Sequence, residues 1–140
     1  MKEKILISAC LLGTPCRYDG ASKPCEKAKA LKETYDLIPV CPEVMGGLET
    51  PRLPCEIQNG RVIRSDGADL TEAYENGAIK CLKLATENKI RLAVLKEKSP
   101  SCGCHFRYDG TFSGTLIPGN GITAEMLTNN GIQVKSEDEL

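Results

Sequence analysis

Apolar residues fall along the chain in short runs separated by longer amphipathic stretches. Ile5-Leu6-Ile7, Leu37-Ile38-Pro39-Val40 and Leu92-Ala93-Val94-Leu95 are too short for buried helices and are rich in branched side chains, so they read as buried strands. Ile132-Gln133-Val134 reads as a fourth. Between the first two, Ser22 is placed to cap a helix, with Pro24 in its first turn and Cys25, Ala28, Leu31 and Tyr35 following at helical spacing. Asp69 is placed to cap a longer helix whose apolar stripe runs Leu70, Ala73, Gly77, Cys81, Leu84, Ala85 and which ends at Asn88. A glycine in that stripe predicts close helix packing. Thr123 opens a short helix through Leu127 that stops at Asn130-Gly131.

The remaining segments are punctuated differently. Met45 to Pro54 is too rich in Gly and Pro for regular structure and is expected to lie as a loop over the strand ends. Glu56 to Ile63 carries Asn59-Gly60 between β-branched residues, the signature of a two-residue hairpin turn, and Phe106 to Ile117 reads as a second loop and hairpin. Strands alternating with helices require right-handed crossovers and a parallel sheet. The predicted architecture is α/β, a single three-layer Rossmann-like domain over residues 1–140. It has a short parallel sheet of about four strands in the order 2-1-3-4, plus small hairpin insertions.

Composition narrows the class of partner. The chain has 140 residues, a formal net charge of −1 and interspersed Lys and Glu, so no basic face gathers nucleic acid by counterion release. Aromatic residues make up only 4% of it, which gives no stacking array for a folded RNA. No stretch is long enough to span a membrane. Ile7-Ser8-Ala9-Cys10 resembles a lipoprotein cleavage site, but its apolar lead of about five residues falls short of the ~7–15 of a signal segment. A cytoplasmic setting follows, in which thiols stay reduced and the eight cysteines point to metal or redox chemistry rather than disulfides.

Three of those cysteines, Cys10, Cys41 and Cys102, each follow a predicted strand. Ligands of open α/β sheets gather beyond the carboxyl ends of the strands, so these three converge there and offer a soft metal or an iron–sulfur cluster a cup of three thiolates with one coordination site left open. Cys104 competes with Cys102 through Cys-Gly-Cys. Cys16 and Cys55 are lesser candidates, and Cys25 and Cys81 lie on apolar stripes as core residues. Structural zinc is weakly supported, since the chain has no Cys-x-x-Cys knuckle and one histidine, His105. A sulfur-sensing or storing module without turnover is the other alternative.

Glu43, two residues from Cys41, is the leading proton-transfer candidate, because desolvation beside such a centre raises a carboxyl pKa toward neutrality. Asp19 and Ser101 come next, each with a plainer reading as a turn residue. Arg17-Tyr18-Asp19-Gly20 recurs as Arg107-Tyr108-Asp109-Gly110, which reads as independent use of one turn.

Taken together, Ser8-Ala9-Cys10-Leu11-Leu12-Gly13, Cys16 to Gly20, Cys41 to Leu48, Thr50-Pro51-Arg52, Ser99 to Gly103 and Gly121 to Ala124 resemble the thiouracil desulfidase family, long catalogued as a bacterial domain of unknown function. The resemblance spans nearly the whole chain in order. It implies a 4Fe-4S cluster on Cys10, Cys41 and Cys102 with one open iron, Glu43 as acid/base, Ser101 as an active-site partner and Asp19 as a weaker one. It also implies a small thiolated nucleobase or nucleoside as substrate, converted to the oxo base without net redox change.

Overall fold

A computed structural model describes residues 2–14, 16–21 and 24–140. Strands β1 (Glu3–Ser8), β2 (Tyr35–Val40), β5 (Leu92–Leu95) and β8 (Gln133–Ser136) form one parallel sheet in the order β2-β1-β5-β8, the predicted 2-1-3-4. Alternate residues of β1 serve opposite faces. Leu6 packs with Ala93 and Leu95 against α3 (Thr71–Glu87) and α4 (Ile122–Asn129), while Ile5 and Ile7 join Val94 under α1 (Glu26–Ala30). Each fully buried Ile or Leu contributes about 1.5–3 kcal/mol. These two cores make the three layers and fix the sheet register, because a slip by one residue would turn every side chain to the wrong face.

The helix predicted from Ser22 to Tyr35 is shorter. It runs Glu26–Ala30 and tightens into a 3-10 turn over Leu31–Glu33, and Tyr35 instead opens β2, paired with Glu3. Sheet pairing outweighs the helical spacing of an aromatic at the helix end. Ser22 lies outside the described residues, and Cys25, read as part of a helical stripe, precedes the helix with its amide donating to Leu11 O at 2.9 Å. The last strand also starts one residue later than its apolar run suggests.

Two antiparallel hairpins stand apart from the sheet. β3 (Cys55–Gln58) and β4 (Arg61–Arg64) are joined by Asn59 and Gly60, both at positive φ of 49° and 78°, the turn that Asn-Gly predicts. β6 (Phe106–Tyr108) pairs with β7 (Leu116–Pro118). Asp69 closes the start of α3, its Oδ1 accepting from Thr71 N at 2.9 Å, and Asn88 caps its end.

A short helix, α2 (Pro42–Met45), begins directly after Cys41 and lies against α3. The approach is main chain on main chain. A Cβ added to Gly77 would run into the Pro42 carbonyl, and one added to Gly46 into that of Ala73. Lys80 Nζ then donates to Met45 O at 2.9 Å. The helix carrying Glu43 is thereby seated at the carboxyl end of the sheet.

Candidate active site

One cavity of about 560 Å³ opens over the ends of β1, β2 and β5, and Cys10, Cys41 and Cys102 all line it. Ser8, at the last position of β1, faces Cys102 with its hydroxyl. Cys10 follows in a 3-10 turn over Ala9–Leu12 that Gly13 closes at φ 102°. Cys41 occupies the junction between β2 and α2. Cys102 comes from the loop after β5, and its amide and that of Ser101 both donate to Ser99 Oγ at 3.1 Å.

The sulfurs lie within each other's electrostatic reach. Burial, and after it the neighbouring Cys41, pushes the Cys10 thiol up to about 11. Cys16, also on the cavity wall, is pushed up to about 12 by burial and by contact with Cys41. Burial raises Cys102 as well, against a lowering hydrogen bond from Ser8. Lys96 and Arg17 act in the opposite sense on Cys10. Lys96 is held in place by Glu137 at 2.9 Å.

All eight cysteines are free thiols. Among the described residues, no three Cys, His, Asp or Glu side chains converge closely enough to hold a single metal ion. His105 pairs with Glu139 at 2.6 Å, away from the cavity. Among the described residues, no ready-made four-ligand set of the kind structural zinc takes is assembled. Three soft sulfur donors spread around a roomy cavity fit a larger inorganic group, and an iron–sulfur cluster takes such ligands.

The structure separates Cys102 from Cys104. Cys102 lines the cavity, whereas Cys104 is turned into the core beneath it, its amide held by Glu97 Oε1 at 2.9 Å. That same oxygen accepts from Lys98, His105 and Phe106 amides at 3.2, 3.0 and 3.1 Å. Burial opposes ionisation of Glu97, but the four backbone donors win and hold its pKa below the usual carboxylate range. The loop from Lys98 to Phe106 is thus gathered onto one buried ionised oxygen. Cys81 makes a sulfur contact with Met45 at 3.5 Å in the core, as expected for a packing residue. Cys55, which has no evident partner in sequence, meets the buried Tyr74 hydroxyl on the cavity wall.

Glu43 also lines the cavity, but an arginine rather than an apolar wall is its dominant neighbour. Arg52 donates to Glu43 Oε2 through Nε at 3.0 Å and again through Nη2. The guanidinium also reaches Glu49 O, Thr50 Oγ1 and Cys16 O at 3.0, 3.1 and 3.2 Å. Both side chains are nearly buried. The other carboxylate oxygen, Oε1, accepts from Ser99 Oγ at 3.4 Å. One oxygen is fully engaged, and the other faces a hydroxyl at the cavity.

Ser101 and Asp19 are placed elsewhere. Ser101 is fully buried and shares a 2.7 Å hydrogen bond with Thr123 at the start of α4. Asp19 accepts from Ala21 N at 3.0 Å in a turn beside the cavity and does not line it. Sequence reasoning overlooked Ser99, Arg52, Ser8 and Glu97. Ser-Pro-Ser gives no spacing rule for choosing Ser99 over Ser101, and Arg52 sits in a loop that has no periodicity. Glu97, an acidic residue two positions beyond a buried strand, carried the clearest signal.

Comparison with known proteins bears on the same chain length. The family described as 2-thiouracil desulfurase matches residues 5–139. An uncharacterized protein of Bacillus subtilis (strain 168), YbbK, is 43% identical over 146 residues, covering 97% of each chain. The solved structure of a 4Fe-4S-dependent thiouracil desulfidase, TudS, is similar with a TM-score of 0.94 at 48% identity, over 99% of this chain and 93% of that one.

Proposed function

The chain belongs to the 2-thiouracil desulfurase family, and on that premise we propose that it is a 4Fe-4S-dependent desulfidase that hydrolyses a thiolated nucleobase or nucleoside to its oxo form. The observation that carries the reading is the meeting of Cys10, Cys41, Cys102 and the Arg52–Glu43 pair in one cavity. The three cysteines hold the cluster. When bound, a cluster with one iron open supplies a soft Lewis acid suited to thiocarbonyl sulfur. Residues 1–140 act as one desulfidase-like domain in the cytoplasm, where the free thiols and such a centre stay reduced.

The protein's own share is positioning and proton transfer. Arg52 fixes Glu43 Oε2 and leaves Oε1 toward the cavity, so Oε1 is the atom that removes a proton from water as the water oxygen attacks the thiocarbonyl carbon. Ser99 links that oxygen to the backbone of Cys102 and keeps the base in register with the sulfur side. The carbon–sulfur bond breaks, hydrosulfide and a proton leave, and the carbonyl oxygen derives from water. Lys96 and Arg17 offset the negative charge that three thiolates place near Cys10. A small loop-lined cavity admits a free base or nucleoside and has no extended basic face for a nucleic acid.

The test is sulfide release from 2-thiouracil and 4-thiouracil by anaerobically reconstituted protein in labelled water. The expected result is uracil carrying the label, formed with no added electron donor. Unlabelled uracil or a strict need for a reductant would overturn hydrolysis, and inactivity toward every thio-base would overturn the enzyme.

A further inference from the structure

The repeated Arg-Tyr-Asp-Gly at 17–20 and 107–110 has no place in the mechanism above, yet its two copies share a conformation. Asp19 Oδ1 accepts from Ala21 N and Asp109 Oδ1 from Thr111 N, each at 3.0 Å. Gly20 and Gly110 both take left-handed backbone, φ 76° and 95°. A carboxylate closing onto the amide two residues on, next to such a glycine, reverses the chain sharply. In both copies the tyrosine ahead of the reversal lines the cavity.

Phe112, just past the second turn, lines it too and is held at φ 56°, a conformation disfavoured for an L side chain. What holds it is a buried carboxylate, since Glu56 Oε1 accepts from Gly110 N at 2.9 Å and Phe112 N at 3.2 Å. Gln58 adds an amide contact to Gly110 O. The fold commits a buried carboxyl group and a strained residue to placing one aromatic ring at the cavity. Composition makes the placement sharper, because four of the chain's six Tyr and Phe residues line this one cavity. Tyr74 is buried against Cys55, whereas Tyr18 is 41% exposed and Tyr108 and Phe112 are half-buried.

We propose that Tyr18, Tyr108 and Phe112 form a stacking wall that binds the flat face of a pyrimidine-sized heterocycle and selects cyclic thiocarbonyls over acyclic ones. The proposal rests on the desulfidase reading of the same cavity and adds the residues that set its substrate class. Stacking reads a π-face rather than a pattern of donors and acceptors, so the wall accepts sulfur at either the 2- or the 4-position. The overall scarcity of aromatics conceals this concentration of them.

The test compares cluster-loaded wild type with Tyr18→Ala, Tyr108→Ala and Phe112→Gly, and with the ring-keeping Tyr18→Phe and Tyr108→Phe. Glycine takes the left-handed conformation at 112 freely, so that variant keeps the turn while removing the ring. Cluster absorbance is checked first, followed by KM and kcat for 2-thiouracil and calorimetric affinity for uracil. The ring-removing variants are expected to weaken uracil binding and raise KM on the order of tenfold, the loss falling on KM rather than kcat. The phenylalanine variants recover most of it, and turnover of acyclic thiourea does not respond to the rings. Unchanged KM and uracil affinity in both alanine variants of an active enzyme would overturn the wall, and so would phenylalanine variants as impaired as alanine. A wild-type protein that binds uracil but releases no sulfide would instead overturn the desulfidase reading, and the uracil titrations would still judge the wall.

Discussion

Cys10 and Cys41 reach the cavity from the ends of β1 and β2, whose pairing is locked by Ile5, Leu6 and Ile7 in two buried cores, whereas Glu43, Arg52 and Ser99 are held across the same cavity by hydrogen bonds to one another. The sulfur side rests on apolar packing, which neither salt nor mild acid disturbs. The carboxylate side rests on a nearly buried ion pair and on directed donors, each of which needs its partner in place. Cys102 belongs to both, since its loop leaves the core strand β5 but is tied down by Ser99 and Glu97. The difference implies that side-chain substitutions on the two sides are felt separately, although Cys41 and Glu43 share the backbone support of α2.

Removing a sulfur gives the largest break. Cys41→Ala is expected to abolish the cluster and all turnover, while Cys25→Ala and Cys81→Ala keep iron and acid-labile sulfide in matching amounts. Metal and sulfide analysis after anaerobic reconstitution decides it, and a Cys41→Ala protein with full cluster content would remove that residue from the ligand set.

On the other side, Glu43→Gln is expected to keep the brown colour and lose about 10²–10⁴ in turnover, the range for a positioned acid/base. Loss of the cluster in this variant would mean that the carboxylate supports the sulfur side after all. Arg52→Gln leaves a nearly buried carboxylate unpaired, which costs about 3–5 kcal/mol. Its activity loss should be about tenfold and fall on kcat. Chemical denaturation and steady-state kinetics measure the two effects, and an Arg52→Gln protein with wild-type kcat would deny Arg52 its positioning role.

Glu97 tests the seam between the sides. Its folded pKa is depressed by four backbone donors, so its contribution is present above the unfolded carboxylate pKa and is lost as pH falls through the lower folded value. Glu97→Gln should cost about 2 kcal/mol at neutral pH and flatten the acid limb of the stability curve. A curve that keeps the wild-type slope in acid would show that Glu97 does not link the loop to pH. Ser101→Ala is the smallest change: about 1 kcal/mol of stability for its buried bond to Thr123, with turnover retained, whereas Ser99→Ala lowers turnover. The reverse pattern would give Ser101 the active-site role that the family resemblance implies.

The same contrast governs what was legible in the sequence. The four sheet strands and their order, the long helix and the Asn59-Gly60 turn follow from periodicity and turn chemistry, which are local. The convergence of Cys10, Cys41 and Cys102 follows from the rule that strand ends share one edge of a parallel sheet. Arg52 and Ser99 were not legible, because an ion pair across nine residues of irregular loop leaves no period to read. Tyr35 misled, since its helical spacing from Leu31 was overruled by pairing with Glu3. The recurring Arg-Tyr-Asp-Gly was visible, but only the fold shows both tyrosines at one cavity.

The joint between Gly46 and Gly77 gives the site an unusual mechanical property. Two main chains in contact have no side-chain torsions between them, so warming opens no new rotamers there and the joint behaves as a hard stop rather than a cushion. Cys41 and Glu43 flank or ride on the short helix that this stop supports, and a wedge of a single methyl group would displace them together. Substitution at either glycine therefore has no gentle intermediate, and the alignment of sulfur and carboxylate is inherited as one unit.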